Sequence, residues 1–395
     1  MRTNWKLWTA LAVSAAGLYG MANVTVAAQR VQAPTQNLPN PPDAPYHFVN
    51  TWPKPLPNNW VMNEVHGVTV DKNDHIWLLI RVSQPVQDKP PFNPADGPGA
   101  LDKATRKLSP PVLEFDIDGN LLQAWGGPDS MPKGVPWPDK ERTIVVDSKG
   151  DVFLSGATPG DGLFEFTNDG KFLKDYGMRG PVVERKDQKM DNQQTDILPT
   201  GAAGMALDES ADDMYIADGY LNRRLLVYSI STGKFKRGWG AYGKPLSQIS
   251  NADIPHDPND FHAAEFGNPV QSVSLSNDGL VYFGDRGGDR IQVFTKQGKF
   301  LKEFYVANGT MRGGSVMNIA FSPDPKQEHI FVPDMVNGYV WELDRQTGEI
   351  IGKLGHPGNG PGEFAGAHEA AVDSKGNVYI GENGANKRAQ KWAPN

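Results

Sequence analysis

The sequence predicts an all-β fold, a six-bladed β-propeller of four-stranded antiparallel blades. Three observations predict it. One pattern recurs six times along the chain: an apolar alternation, a polar turn and a second apolar strand. Each copy alternates with period two, the mark of half-buried strands. The copies begin 46 to 76 residues apart, a four-stranded blade of about 45 residues plus its loops, and Gly (43) and Pro (32) are abundant, as many short strands joined by turns require.

The blades begin in order at His66 (HGVTVDKNDHIWLLIR), Arg142 (RTIVVDSKGDVFLSGA), Ala203 (AGMALDESADDMYIADGY), Gln271 (QSVSLSNDGLVYFGDR), Met317 (MNIAFSPDPKQEHIFVPDM) and His368 (HEAAVDSKGNVYIGEN). Outer strand pairs follow, as in LFEFTNDGKFLKDYG, LLVYSISTGKFKRGWG, IQVFTKQGKFLKEF and VWELDRQTGEIIGKLG. The Asp-Gly, Asn-Gly and Ser-Lys-Gly stretches supply the tight turns. The sixth unit ends at AQKWAPN without a full outer strand, whereas PYHFVNTWP precedes the first unit as an orphan strand. Pairing the two would close the ring by an N-terminal strand and hide its open edges.

Ahead of the propeller (residues 45–395), residues 1–28 read as a signal peptide. Arg2 and Lys6 precede an apolar stretch, 7–22, and Val26-Ala27-Ala28 fits a cleavage site. The other reading is an uncleaved anchor. Residues 29–44, rich in Pro, Asn and Gln, read as a tether. The expectation is an exported protein, periplasmic or extracellular, with no membrane span after cleavage, acting as a monomer. A formal charge of -7 argues against a nucleic-acid partner. No disulfide framework is available to a chain with no Cys.

Propeller geometry turns positions into a site. Inner strands begin at one face, and second strands end there. The inner openings bring His66, Arg142, Ala203, Gln271, Met317 and His368 together. The second-strand ends bring Arg81, Ala157, Gly219 with Tyr220, Arg286, Met335 and Asn383. Three long loops, 84–111, 178–200 and 241–269 (with His256 and His262), are expected to wall this mouth.

The strand pattern resembles NHL-type repeats, on GNVYIGEN, GLVYFGDR and DDMYIADGY, over Met62 to Trp392. Further, DGYLNRRLLVYSISTGKFKRGWG, GDRGGDRIQVF and IWLLIRV resemble repeats of peptidyl-α-hydroxyglycine α-amidating lyase. That resemblance implies Tyr220 and Arg81 as a catalytic pair, with Arg286 a supporting cation. It also implies three zinc-binding histidines at inner-strand openings. His368 stands at one, and Arg142 and Gln271 stand at the other two. Glu369 matches a calcium-binding acidic position. A divalent metal, zinc or calcium, is therefore expected on His368, His66 and Glu369, with Glu64 an alternative ligand; no organic cofactor is evident. Arg142, Gln271 and Met317 are expected to bind substrate.

The residues alone point the same way. Arginine charges beside a phenol favour its ionised form, a forked guanidinium suits a carboxylate, and a phenolate near a substrate hydroxyl can begin C–N or C–O cleavage. Each residue also has a purely structural reading. Tyr220 can pack at its turn, and Arg81 and Arg286 can pair with Asp218, Asp285, Asp334 or Glu382. The two histidines can hydrogen-bond locally. Two functions follow: a lyase-like or hydrolytic enzyme for a small anionic or peptide-derived substrate, or a non-catalytic propeller binding a peptide, glycan or protein partner.

Overall fold

The computed structural model describes residues 29–30, 38–82, 93–97, 102–252, 257, 260–310 and 313–395. The expected signal segment 1–28, much of loop 84–111 and His256 lie outside the described residues. Six sheets of at least four strands form the blades, innermost strand first in chain order. The inner strands are Val65–Val70, Glu141–Val146, Gly204–Asp208, Ser272–Leu275, Ala320–Phe321 and Ala367–Val372. The second strands are Ile76–Ile80, Val152–Gly156, Asp213–Asp218, Leu280–Asp285, His329–Asp334 and Val378–Glu382.

The ring closes as the orphan strand suggested. Tyr46–Val49 pairs antiparallel with Ala389–Pro394, Tyr46 opposite Pro394 and Val49 opposite Lys391, and completes the sixth blade. Just before it, the Ala44 amide donates to Lys353 O at 2.8 Å and the Lys353 amide to Pro42 O at 3.1 Å, so the end of the 29–44 segment lies along blade five.

A blade cannot bury both of its faces alone, and the packing reflects that. The apolar clusters sit between blades rather than within them. Leu78 and Phe115 of blade one meet Tyr379 and Ala389 of blade six; Tyr282 and Phe304 of blade four meet Trp341 of blade five. Burying such a side chain is worth about 1.5–3 kcal/mol, so each blade depends on both neighbours.

The acid that ends a second strand has a structural task. Asp218 accepts from Arg224 Nε at 2.7 Å, Asp285 from Arg290 Nε at 2.7 Å, and Glu382 from Arg388 Nε at 2.6 Å. In blade five, Trp341 Nε1 takes the arginine's place on Asp334, at 2.9 Å. Each clasp joins the end of a second strand to the start, or in blade five the middle, of the third. The acids proposed as partners for Arg286 are thus occupied elsewhere.

Candidate functional site

Three of the inner strands carry a β-bulge at their openings. The pairing steps from Val65 to Gly67, from Thr143 to Glu141, and from Ala367 to Glu369, leaving His66, Arg142 and His368 as the extra residues. A bulge re-aims its side chain out of the alternating pattern. These three side chains turn to the axis and meet there. Arg142 Nη1 lies 3.2 Å from His66 Nδ1 and 2.5 Å from His368 Nε2. The two imidazoles stand edge to face, centroids 4.6 Å apart.

Above them opens a mouth of 420 Å³, lined by His66, Arg81, Tyr220, Arg286, Met317 and His368, with Lys140, Thr158, Gln188, Thr200, Met335 and Asn383 among its other walls. Residues from six ring positions therefore share one cavity. Arg142 and Gln271 lie just beneath it, and both are 1% exposed. Glu369, next to His368, lines a separate cavity that continues down the channel between the strand bodies. Of the expected loops, 178–200 contributes Gln188 and Thr200 to the mouth. His262, in 241–269, engages Glu303 on blade four's outer strand and does not line it.

Tyr220 is 37% exposed and sits at a φ of 65°, in the left-handed region that disfavours non-glycine residues. Gly219, just before it, has a different role. A Cβ there would meet Val270 O at 1.8 Å, so glycine is required by close approach, and Tyr220 itself makes the left-handed step. Thr200 Oγ1 donates to Gly219 O at 2.8 Å and fixes the turn. The hydroxyl then reaches Gln271 Oε1 at 3.1 Å, and Arg286 Nη1 reaches the same oxygen at 3.2 Å. Arg142 lies against the Tyr220 ring, 5.4 Å from its centroid. Arg223 donates to Ser250 O and Ala252 O at 3.1 and 2.6 Å, and Arg224 closes the clasp, so both are structural.

Arg81 donates to Glu64 Oε2 at 3.3 Å and to Glu141 O at 3.4 Å. Burial would raise the Glu64 carboxyl, but the His66 hydrogen bond and the Arg81 charge hold it down to about 2. Burial pushes His66 down to about 3, against the pull of Glu64. Burial, then the charge of Arg142, holds His368 well below the usual imidazole range. Glu141, which sequence reasoning passed over, is raised by burial to about 7 and accepts from Trp137 Nε1 at 2.8 Å. Its position next to Arg142 in the chain was the available signal.

Several buried donors here have no partner among the described residues: Arg81 Nε, Arg142 Nε and Nη2, Arg286 Nε and Gln271 Nε2. Three guanidiniums face one firmly ionised carboxylate, Glu64. The arrangement is electropositive and suited to an anion.

The expected metal set does not fit the axis. Glu369 Oε1 is 3.2 Å from His368 Nδ1, but a guanidinium stands between His66 and His368 and offers them only donors. A catalytic zinc needs lone pairs from three protein ligands. Elsewhere, Asp71, His75 and Glu114 bring possible ligand atoms within 4.8 Å of one another at the far end of blade one. Those atoms already serve the turn: Asp71 accepts from the amides of Asn73 and His75 at 2.8 and 3.0 Å, and Glu114 lies 2.7 Å from His75 Nδ1.

No protein-family model matches the chain. Over 382 residues it is 25% identical to peptidyl-α-hydroxyglycine α-amidating lyase 1 of Drosophila melanogaster, covering 89% of this chain and 61% of that protein. The chain resembles the amidating lyases. It is also 28% identical over 299 residues to NHL repeat-containing protein 3 of Homo sapiens, covering 72% and 73%. It thus spans under two thirds of the length of the Drosophila relative. Among solved structures, a protein of unknown function from Bacteroides thetaiotaomicron is similar at a TM-score of 0.51 and 13% identity, over 84% of this chain and 70% of that one, which supports the fold alone.

Proposed function

We propose that the mouth is the active site of a lyase-like enzyme acting on a small anionic or peptide-derived substrate. The observation that carries this reading is the convergence of the Tyr220 hydroxyl and the Arg286 guanidinium on one Gln271 oxygen, at 3.1 and 3.2 Å, in a cavity that Arg81 also lines. In this reading Arg81 and Arg286 hold the substrate carboxylate, and Met317 and Met335 pack its apolar part. Arg142 and Gln271, beneath the mouth, orient the machinery. Tyr220 is the base that takes the proton of a carbinol hydroxyl. The oxygen's electron pair forms the carbonyl, the C–N bond breaks, and the departing nitrogen recovers a proton from Tyr220. For a peptidyl α-hydroxyglycine, the substrate named in the Drosophila relative, the products are an amide and glyoxylate.

Purified protein is incubated with an acylated α-hydroxyglycine, and glyoxylate release is followed. Turnover that disappears in Tyr220→Phe supports the reading. Turnover that survives the change removes Tyr220 from the chemistry. A second reading, a non-catalytic propeller binding a peptide, glycan or protein, is favoured by Arg142 and Gln271 standing where the resemblance expects histidines. Saturable ligand binding without turnover would select it.

Residues 1–28 are proposed as a removable export segment, on the strength of Arg2 and Lys6 before an apolar run and the small residues at 26–28. Mass spectrometry of the mature protein should find an N-terminus near Gln29; intact Met1 in the envelope fraction would replace cleavage with anchoring.

A further inference from the structure

Five side chains form a line across the axis: Glu64, His66, Arg142, His368 and Glu369. Glu64 Oε2 is 3.0 Å from His66 Nε2, and Glu369 Oε1 is 3.2 Å from His368 Nδ1. Between them, Arg142 Nη1 reaches His66 Nδ1 and His368 Nε2. One proton assignment satisfies the shortest of these contacts. His66 donates Nε2–H to Glu64 and accepts at Nδ1. His368 turns Nδ1–H toward Glu369, 3.2 Å away, and accepts at Nε2. Both rings are then neutral, and both inward lone pairs are committed to Arg142.

A guanidinium is always charged and has no lone pair to give a metal. It can nonetheless supply what a metal supplies electrostatically, a fixed positive charge under the mouth. The three bulges that turn these residues inward make this a built arrangement. The buried Arg142 Nε and Nη2 have no partner among the described residues, so the charge is not quenched by an ion pair.

We infer that the Arg142 guanidinium is the permanent cation of this site, seated between His66 and His368 in place of a divalent ion, and that the mouth receives its anionic ligand through arginines alone. Arg142 is here a positioning residue: it fixes both imidazoles and sets the field above them. The inference builds on the anion-binding reading of the mouth. Metal content is measured without substrate, so the two can fail separately.

The test uses the full chain, incubated with excess zinc, dialysed, and analysed for metal by mass spectrometry. The wild type should hold no stoichiometric zinc at the axis. Arg142→His, which removes the cation and adds a third imidazole there, should gain at least about tenfold more bound zinc. Adding His368→Ala should abolish the gain. Zinc on the wild type that survives His368→Ala lies elsewhere and supports the inference; zinc on the wild type that His368→Ala removes overturns it. A folded Arg142→His protein that gains no zinc also overturns it. Should Arg142→His fail to fold, the wild type's melting temperature decides. Indifference to chelator supports the inference, and a drop reversed by zinc, but absent in His368→Ala, overturns it.

Discussion

The central channel encloses two cavities of the same volume, 420 Å³, walled by different parts of the blades. At the mouth, long polar side chains converge from strand openings and from the turns after second strands. In the other cavity, the walls are the strand bodies themselves, Gly67, Thr69, Ile144, Gly204 and Ser274 among them, with one buried acid, Glu369. The two cavities also treat a glutamate differently. Glu64, beside Arg81 and His66, is held down to about 2, whereas burial raises Glu369 to about 8. At one strand position no side chain fits at all: a Cβ on Gly204 would meet Gln271 O at 2.7 Å. The long charged side chains gather at the end where bulges and turns break the alternation.

The largest expected effect is at the mouth. Tyr220→Phe should lower turnover roughly 10²–10⁴-fold, the range for loss of a positioned acid or base. Its stability cost should be about 1 kcal/mol or less, one partly exposed hydrogen bond. Initial rates and urea melts on the same protein separate the two effects, and equal losses in both would erase the distinction between mouth and scaffold.

Next in size is Glu64→Gln. It leaves Arg81 and His66 without their ionised partner and should cost about 1–3 kcal/mol at neutral pH, read from denaturant midpoints. An unchanged midpoint would mean that the mouth's single ionised carboxylate has no structural task.

The pH dependence that follows from Glu369 is opposite in sign to that from Glu64. Glu369 keeps its proton in the folded state up to about 8, against an ordinary value of 4.5. Between those values the folded state binds a proton that the unfolded state has released. Its contribution is full below 4.5 and lost as pH rises through about 8. Stability should fall with rising pH between about 4.5 and 8, by up to about 1.4 kcal/mol per pH unit. Glu369→Gln should flatten that slope; a slope unchanged in the variant would assign it to other groups, Glu141 first. Below pH 4.5, where the acid is neutral in both states, the same substitution should shift stability by less than about 0.5 kcal/mol, the smallest effect of the set.

Much of this could be read along the chain. The period placed the six blades and their openings, the orphan PYHFVNTWP found its partner, and the positional argument assembled Arg81, Tyr220, Arg286, Met317, His66 and His368 in one cavity. What escaped was set by pairing register rather than by residue type. A bulge at His66, Arg142 or His368 leaves no mark in an alternating pattern, so the guanidinium between the two imidazoles was not foreseen, and a metal was expected there instead. Glu369 was grouped with the mouth because it adjoins His368, but the next residue along a strand points elsewhere. At Tyr220 the position was legible and its cause was not, since the clash that demands Gly219 comes from Val270 in the next blade.

Ring closure has a consequence for how the chain is made. Tyr46 is paired with Pro394, almost the full length of the chain away. During synthesis at roughly 5–20 residues per second, that first strand waits on the order of tens of seconds for a partner. Until then blade six lacks its outer strand, and blade one lacks the neighbour that covers Leu78 and Phe115. The nascent ring is an open arc with apolar faces at both ends. Its exposure to aggregation, and to any chaperone that holds it, is longest for a chain truncated just short of Ala389.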